Sequence, residues 1–378
     1  MANLPELSKS EITRYSRHLL LEEVGEEGQK RLKQARVLII GMGGLGSPIS
    51  LYLAAAGIGT IGIVDFDTVD LTNLQRQIVH STESVGIKKT ASASTRLKAV
   101  NPEINVVVHE QRFDAENALA LLEKYDMVLD GTDNFQTRYL VNDACVLAGK
   151  PNVYGSIFRF EGQVSVFYAK EGPCYRCIYP IPPEANAVPN CAEAGVLGVL
   201  AGVIGSLQAT EAIKLILGKG KSLLGKLLVY DALEMTFDRL NITKDPNCPV
   251  CGKNPTITSL KESEILCAAE EKLEEEISPT ELAKLIEGGR KPFLLDVRSE
   301  MERNICHLED STLIPLPELE GRLSELDKDT NIVVYCHAGV RSYHAASFMR
   351  KNGFKNVSNL TGGITAWAMD VDKSMPIY

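Results

Sequence analysis

A glycine-rich loop between a buried strand and a helix constrains this fold more than any other feature. Residues 37–40 (VLII) are typical of a strand buried on both faces, and they lead directly into residues 41–47 (GMGGLGS). A helical segment at 50–56 is stopped by Gly57, and a second apolar strand follows at 60–65. This order predicts a βαβ unit whose loop N–H groups and helix dipole face a phosphate.

Candidate strands beyond this unit extend it into a larger sheet. Those at 105–109 and 127–130 alternate with helical patterns, which indicates further parallel strands. The strand-like segments 163–168 and 226–230 do not follow this alternation, so we expect the sheet to continue partly antiparallel. The fold class is therefore α/β, beginning with a Rossmann-like domain that has a mixed sheet.

The length of the chain predicts two domains, because 378 residues exceed what one hydrophobic core usually organises. The composition turns acidic and irregular over 254–276, as expected of a linker. Order restarts at 278–281 (SPTE), where Ser caps a helix, Pro suits its first turn and Glu completes a capping box. Strands at 293–297 and 331–335 then indicate a small second α/β domain. The predicted segments are a first domain 1–254, a linker 255–276 and a second domain 277–378.

The acidic balance of the chain restricts its partners. A formal charge of -9 and a pI near 5.4 argue against surfaces built for nucleic acid or anionic membranes, which need clustered Lys and Arg. Residues 1–10 lack the basic start and apolar stretch of a secretory signal, so we expect a reducing, cytoplasmic location. Nine cysteines in that compartment indicate thiol or metal chemistry before disulfides.

The longest uncharged stretch lies between Glu193 and Glu211, and it is shorter than the roughly 20 apolar residues that span a bilayer. We interpret it as a buried helix. Its glycines recur at helical spacing, which predicts a face thin enough for another backbone to approach closely. These glycines are Gly195, Gly198, Gly202 and Gly205.

Two nucleotides fit the glycine loop. Asp65 closes the second strand, where a carboxylate can accept hydrogen bonds from ribose hydroxyls, as in a nicotinamide-dependent enzyme. Attack on a triphosphate instead needs positive charge around developing oxyanions. A polar and cationic series that hydride transfer does not require favours ATP: Asp67, Asn73, Gln75, Arg76 and Lys89. Residues 130–134 (DGTDN) then place carboxylates at the ligand-binding edge of the sheet, where one can hold Mg²⁺ on phosphates.

The motifs at 41–47, 65–67 (DFD), 73–77 (NLQRQ) and 130–134 resemble those of the ubiquitin-activating superfamily. More narrowly, they resemble the adenylyltransferases that activate sulfur-carrier proteins for molybdopterin and thiamin synthesis, over about residues 7–252.

The loop and the resemblance together give the candidate nucleotide site. Its residues are Gly41, Gly43, Gly44 and Gly46 in the loop, Asp65 at the nucleotide, Asn73, Arg76 and Lys89 at the phosphates, and Asp133, beside Asn134, at magnesium. The resemblance also implies a homodimer in which Arg17 reaches the neighbour's ATP. Arg76 and Arg17 are therefore candidate catalytic residues, although by sequence alone Arg17 is only an exposed helical charge.

Two C-x-x-C pairs, Cys174 with Cys177 and Cys248 with Cys251, indicate a metal site. Four thiolates at this spacing suit tetrahedral Zn²⁺ and leave no position open for water, so we expect a structural site. A redox pair or disulfides are the alternative readings. The family resemblance also implies zinc at these residues.

Cys191 stands apart in residues 184–193 (EANAVPNCAE), a loop that leads into the glycine-rich helix. A thiol near a helix N-terminus can have a lowered pKa and attack an activated acyl group, or it can be a small buried residue. The sequence leaves both open, and similar enzymes carry a catalytic cysteine at this place. Cys145, Cys267 and Cys306 have no partner at ligand spacing, and we treat them as structural.

Cys336 begins the loop 336–342 (CHAGVRS) between a predicted strand and a predicted helix. Loop N–H groups, the helix dipole and Arg341 would stabilise a thiolate or a persulfide there. With 296–298 (DVR) and the motif from Leu360 to Trp367, residues 277–378 resemble a single rhodanese domain. Four residues between Cys336 and Arg341, one fewer than in related phosphatase loops, favour sulfur. The segment 309–312 (EDST) departs from the turn that the family usually has.

The two resemblances imply two-step sulfur activation. ATP and Mg²⁺ would adenylylate a ubiquitin-like sulfur carrier ending in Gly-Gly, and a persulfide on Cys336, supplied by a donor such as a cysteine desulfurase, would convert it to a thiocarboxylate. An NAD-dependent oxidoreductase and a ubiquitin-type conjugating enzyme are the alternatives.

Overall fold

The computed structural model describes residues 4–183, 195–260 and 276–378. The chain divides into two compact units, Met1–Ala268 and Ala269–Tyr378, each built around a sheet of its own. The segment limits 254/255 and 276/277 that the sequence suggested remain predictions.

The first unit contains an eight-stranded mixed sheet. Its strands are β1 Arg36–Ile40, β2 Thr60–Val64, β3 Asn105–His109, β4 Met127–Asp130, β5 Asn152–Phe158, β6 Glu161–Phe167, β7 Lys226–Asp231 and β8 Thr236–Asn241. Its described helices are α1 Lys9–Arg14, α2 Ser16–Leu19, α3 Gly25–Gln34, α4 Gly46–Ala56, α5 Lys89–Val100, α6 Ala118–Leu122, α7 Phe135–Ala148 and α8 Gly198–Leu217.

Strand order in this sheet is β3-β2-β1-β4-β5-β6-β7-β8, parallel from β3 to β5 and antiparallel from β5 to β8. The predicted mixed sheet is confirmed. Because β1, β2 and β4 are parallel neighbours, their carboxyl ends meet at one edge, where ligands of open α/β sheets bind. Gly57 ends α4 with φ +84°, a left-handed conformation that suits glycine.

Helix α8 is the one described helix that is long and apolar enough to cross a membrane. It packs on α4, β5 and β6, and core helices of globular proteins share its length and composition. The predicted close approach holds at Gly205, where a Cβ would lie 2.8 Å from the carbonyl oxygen of Leu45. It is wrong at Gly202, where a Cβ would meet no neighbour within 4 Å.

The second unit contains a five-stranded parallel sheet in the order β11-β10-β12-β13-β9. The strands are β9 Glu276–Ile277, β10 Phe293–Asp296, β11 Thr312–Leu313, β12 Ile332–Tyr335 and β13 Val357–Leu360. The helices are α9 Pro279–Glu287, α10 Glu300–Ile305, α11 Leu319–Arg322, α12 Val340–Lys351 and α13 Gly363–Asp370. The predicted capping box opens α9, because Ser278 and Glu281 exchange side-chain to backbone hydrogen bonds.

Candidate active sites

The glycine loop turns sharply because two of its positions admit no side chain. Gly41 has φ +89°, and a Cβ there would lie 2.8 Å from the carbonyl oxygen of Gly131. A Cβ on Gly46 would overlap the carbonyl oxygen of Gly41. The loop therefore folds back onto the end of β4 and aims the N-terminus of α4 at the sheet edge, which is the arrangement that binds phosphate.

Asp65, at the end of β2, holds this loop in place. One carboxylate oxygen accepts the backbone N–H of Met42 at 2.8 Å, and the other accepts that of Asp67 at 2.8 Å. The same residue lines the cleft described next, so it can both fix the loop and face a ligand.

A cleft of about 290 Å³ opens at the carboxyl ends of β1, β2 and β4. Eight predicted site residues line it: Gly41, Gly43, Gly44, Asp65, Arg76, Lys89, Asp133 and Asn134. Gly46 lies outside the lining, at the first turn of α4. Arg17 is exposed on α2 and does not line the cleft of its own chain.

The two lining cations differ in their surroundings. Lys89 is 7% exposed, and its Nζ lies 2.9 Å from a carboxylate oxygen of Asp67. Arg76 donates a hydrogen bond from Nη1 to the carbonyl oxygen of Thr72 at 3.3 Å. Asn73, predicted at the phosphates, does not line the cleft, and its amide oxygen accepts the backbone N–H of Asp70.

Two buried ionisable residues lie at the end of β4 and in the cleft: Asp130, which belongs to the motif 130–134 but was not singled out as a site residue, and Arg138, which the sequence analysis missed. Asp130 is fully buried and accepts two hydrogen bonds from Thr132, and burial raises its pKa. Arg138 lines the cleft and lies 5.4 Å from the ring centroid of Tyr154. Burial acts to lower the pKa of Arg138, but Tyr154, Tyr175 and Asp130 raise it. Arg138 is one helical turn after the cap residue Asn134, and this spacing is the signal that could have identified it.

His80 joins the glycine loop to the helix that carries Lys89. Its Nε2 lies 3.0 Å from the carbonyl oxygen of Met42 and its Nδ1 2.9 Å from Ser92 Oγ on α5. Since a carbonyl only accepts, Nε2 donates and Nδ1 accepts. Burial lowers the pKa of His80, so the neutral ring is favoured.

The four predicted metal-binding thiols come together. All sulfur atoms lie within 4.8 Å of one another, and neighbouring pairs are separated by 3.4 to 3.9 Å. Zn–S bonds of about 2.3 Å in a tetrahedron place sulfurs about 3.8 Å apart, so the cluster fits Zn²⁺. The four residues are Cys174, Cys177, Cys248 and Cys251.

The first cysteine pair is fastened to α7. Between its two cysteines, Arg176 forms a two-pronged ion pair with Asp143 at 2.8 Å, and both side chains are under 10% exposed. The segment after the second of these cysteines is also bound to α7, because the Tyr139 hydroxyl donates to the carbonyl oxygens of Tyr179 and Ile181. Cys191, predicted to be catalytic, and Cys267 lie outside the described residues, whereas Cys145 and Cys306 are buried.

Cys336 follows β12 and is 1% exposed. Its sulfur accepts hydrogen bonds from the Gly339 N–H at 3.2 Å and from Ser342 Oγ at 3.3 Å. Gly339 has φ +92° and caps α12, so the predicted loop between strand and helix is present. The backbone N–H groups of Ile364 and Thr365 in the first turn of α13 donate to the carbonyl oxygens of Cys336 and His337 and hold the loop backbone in place.

Arg341 is held by an acid that the sequence analysis missed. Its two terminal nitrogens donate to the two carboxylate oxygens of Glu302 at 3.0 and 2.6 Å. Burial acts to raise the pKa of Glu302, but hydrogen bonds from Arg341 and Ser299 outweigh it and lower the pKa to about 2. The loop cation is therefore part of an ion pair.

The fold and these sites define an α/β nucleotide-binding protein joined to a thiol-bearing α/β unit. Residues 15–250 match the ThiF family and residues 278–370 match the rhodanese-like domain. The chain belongs to the ThiF family and carries a rhodanese-like domain. Both resemblances stated from the sequence are confirmed at the level of family.

Several known proteins are similar to this chain over most of its length or over about two thirds of it. The chain is 50% identical to the probable adenylyltransferase/sulfurtransferase MoeZ of Mycobacterium tuberculosis over 98% of this chain and 96% of the relative. It is 42% identical to adenylyltransferase and sulfurtransferase MOCS3 of Culex quinquefasciatus over 99% of this chain and 91% of the relative. The crystal structure of E. coli MccB with ATP matches with a TM-score of 0.56 and 27% identity, covering 63% of this chain and 74% of that one.

Proposed function

We propose that the chain adenylylates the C-terminal carboxylate of a ubiquitin-like sulfur carrier and then replaces one of its oxygens with sulfur. The observation that carries this function is the presence, in one chain, of a cationic phosphate cleft and a loop that cradles a buried thiol. Membership of both parts in their families supports the same pairing.

In the first step the carrier carboxylate attacks the α-phosphorus of ATP, and pyrophosphate leaves. Lys89 and Arg76 line the cleft, where they can hold phosphate oxygens as charge develops. Asp133 is an exposed carboxylate on the same wall, and a single carboxylate with substrate phosphates is a usual donor set for Mg²⁺. Bound Mg²⁺ would neutralise phosphate charge. We expect the carrier to end in Gly-Gly, because only a tail without side chains can thread beside the nucleotide.

In the second step a donor such as a cysteine desulfurase has already converted the Cys336 thiol to a persulfide. The outer sulfur attacks the acyl carbon, AMP leaves, and an acyl disulfide joins the carrier to Cys336. A second thiol then attacks the Cys336 sulfur and releases the carrier thiocarboxylate. The resulting enzyme disulfide is reduced by an external thiol.

Cys191 is our candidate for that second thiol, and it would act after Cys336. The alternative order has Cys191 form an acyl thioester before sulfur arrives. A Cys191→Ala variant separates the two: on a non-reducing gel, carrier linked through Cys336 should accumulate if Cys191 acts second. If Cys191 acts first, no such species forms.

The proposal also includes a metal site and a contribution from a second copy of the chain. The thiol cluster would bind Zn²⁺ and tie the end of the first unit to its middle. Arg17 would reach the cleft of a second copy in a homodimer, which is in keeping with its exposure away from its own cleft. Mixing the inactive Arg17→Ala and Lys89→Met variants tests this role, since a mixed dimer regains one complete site and partial activity. Arg17 acting within its own chain predicts no recovery.

The deciding experiment incubates the protein with ATP, Mg²⁺, a persulfide donor and Gly-Gly-tailed carriers. Intact mass should show one carrier oxygen replaced by sulfur, and omission of ATP should abolish the change. A nicotinamide oxidoreductase would instead bind NADH and tolerate Lys89→Met. A conjugating enzyme would join the carrier to a second protein, a route in which the Cys336 loop has no use.

A further inference from the structure

One residue beside the Cys336 loop takes no part in the steps above. The hydroxyl of Tyr378 accepts a hydrogen bond from Arg298 Nη1 at 2.6 Å and lies 3.4 Å from a carboxylate oxygen of Glu302. A backbone oxygen of Tyr378 lies 2.7 Å from His337 Nε2, and the two rings lie 4.7 Å apart between centroids. Tyr378 therefore contacts the residue next to Cys336 and the acid that pairs with the loop arginine.

Glu302 determines where the loop cation lies. A two-pronged arginine–carboxylate pair fixes the plane of the guanidinium as well as its distance, so Arg341 follows the carboxylate. Ser299 also binds this carboxylate, through its backbone N–H and its hydroxyl, at 3.0 and 2.9 Å. The Tyr378 hydroxyl is a third group at this carboxylate.

Arg298 in turn fixes Tyr378 to the sheet. Its side chain is fully buried and pairs with Asp296 at 2.9 and 2.7 Å, at the end of β10. Asp296 also accepts the hydroxyl of Tyr335 at 2.9 Å and lies 3.7 Å from Arg303 Nη1, so three side chains set its orientation. A continuous chain of polar contacts thus runs from β10 through Tyr378 to the loop arginine.

We propose that Tyr378 is a positioning residue for sulfur transfer at Cys336. Its hydroxyl couples the buried Asp296–Arg298 pair to the Glu302–Arg341 pair, and its backbone oxygen orients His337. Without the phenol, water reaches the Glu302–Arg341 pair and screens the charge of Arg341. The persulfide anion depends on that charge and on the loop N–H groups. This inference rests on the sulfur transfer proposed above.

The test compares full-length Tyr378→Phe and Tyr378→Ala with Ile377→Ala, whose side chain is the 45% exposed neighbour. Carrier sulfuration gives kcat and KM, and peptide mass spectrometry gives the rate of Cys336 alkylation by iodoacetamide against pH. We expect kcat to fall roughly tenfold in Tyr378→Phe, as for one lost hydrogen bond to a charged group, and further in Tyr378→Ala, which also loses the ring. The KM for carrier should stay unchanged, and the alkylation midpoint should move to higher pH in both variants.

Two outcomes overturn the inference. The first is that kcat and the alkylation midpoint of Tyr378→Ala equal those of wild type. The second is that Ile377→Ala loses as much kcat as Tyr378→Ala. Tyr378→Phe keeps the ring and the backbone oxygen, so it probes the hydroxyl in a folded protein. Pyrophosphate exchange should stay at the wild-type rate in every variant. If wild type sulfurates no carrier, the proposed function fails, and the alkylation profile still tests Tyr378.

Discussion

Replacing Glu302 with Gln should destabilise the second unit in a pH-dependent way. The pKa of this carboxyl falls from its ordinary value of 4.5 to about 2 because Arg341 and Ser299 bind the charged form. At 1.36 kcal/mol per unit of pKa, this difference corresponds to about 3 kcal/mol. The side chain is 12% exposed, and solvent screening reduces the expected loss to about 2 kcal/mol at neutral pH.

The sign follows from which state binds more protons. Because the folded pKa is the lower one, the stabilisation is fully present above 4.5 and is lost as pH falls toward 2. The difference in unfolding free energy between wild type and Glu302→Gln should therefore be largest at neutral pH and shrink by more than half near pH 3.

The single tryptophan makes this measurement specific. Trp367 lies on α13, is partly buried and packs against the core of the second unit, so its fluorescence follows unfolding of that unit. In urea, a loss of about 2 kcal/mol moves the midpoint by about 1 to 2 M for a unit of this size. Glu300→Gln is the matched control, because Glu300 is exposed in the same first turn of α10. A Glu302→Gln effect that equals the control, or that stays constant between pH 7 and pH 3, refutes the reasoning.

Three further predictions concern the first unit. Lys89→Met should lower kcat/KM for carrier adenylylation by about 10²- to 10³-fold, as for one lost group that stabilises transition-state charge. Persulfide loading of Cys336 should stay intact. A pyrophosphate-exchange assay measures the effect, and Lys88→Met, one residue earlier and exposed, is the control. Cys248→Ser should abolish zinc binding, measured by metal analysis, and lower the unfolding temperature of the first unit, whereas Cys145→Ser should retain the metal. The first unit of the wild type should lose stability as pH falls below 6.5, the ordinary pKa of a histidine, because burial lowers the pKa of His80 in the folded state. Urea titrations at several pH values should show that the unfolding free energy depends less steeply on pH in His80→Gln than in wild type. An equal pH dependence in the two proteins would contradict the assignment.

Strands were predictable where the hydrophobic pattern is continuous. Asn105–His109 and Met127–Asp130 match the predicted segments to the residue. Met127–Asp130 is buried along its whole length, as its apolar run predicts, whereas Asn105–His109 lies at the sheet edge and is partly exposed, with three consecutive valines as its strand signal. β5 and β8 were not predicted. β8 is exposed along its whole length, so it has no buried apolar face that a sequence pattern could reveal. It forms a strand because it pairs with β7.

Site residues were predictable where they belong to a local motif. The glycine loop, the two cysteine pairs and the Cys336 loop each place their groups within a few consecutive residues, and the structure shows each of them assembled. His80 meets Met42 across 38 positions, and Tyr378 meets Glu302 across 76. Such contacts depend on the register of packed elements, so sequence spacing could not reveal them.

The two sites use the same backbone geometry for different anions. The ion pairs in the two sites differ in exposure, and this difference sets how much positive charge each site offers. Each has a loop at the carboxyl end of a parallel strand that leads into a helix N-terminus, a geometry that attracts negative charge. In the cleft, Lys89 pairs with Asp67, whose side chain is 49% exposed, so solvent weakens the pairing and leaves positive charge for a triphosphate. In the Cys336 loop, Arg341 pairs with Glu302, whose side chain is only 12% exposed, so the carboxylate offsets more of the cation's charge and leaves a smaller positive charge for an anion. That loop therefore suits a singly charged persulfide better than a phosphate, whereas the cleft suits the several charges of a triphosphate.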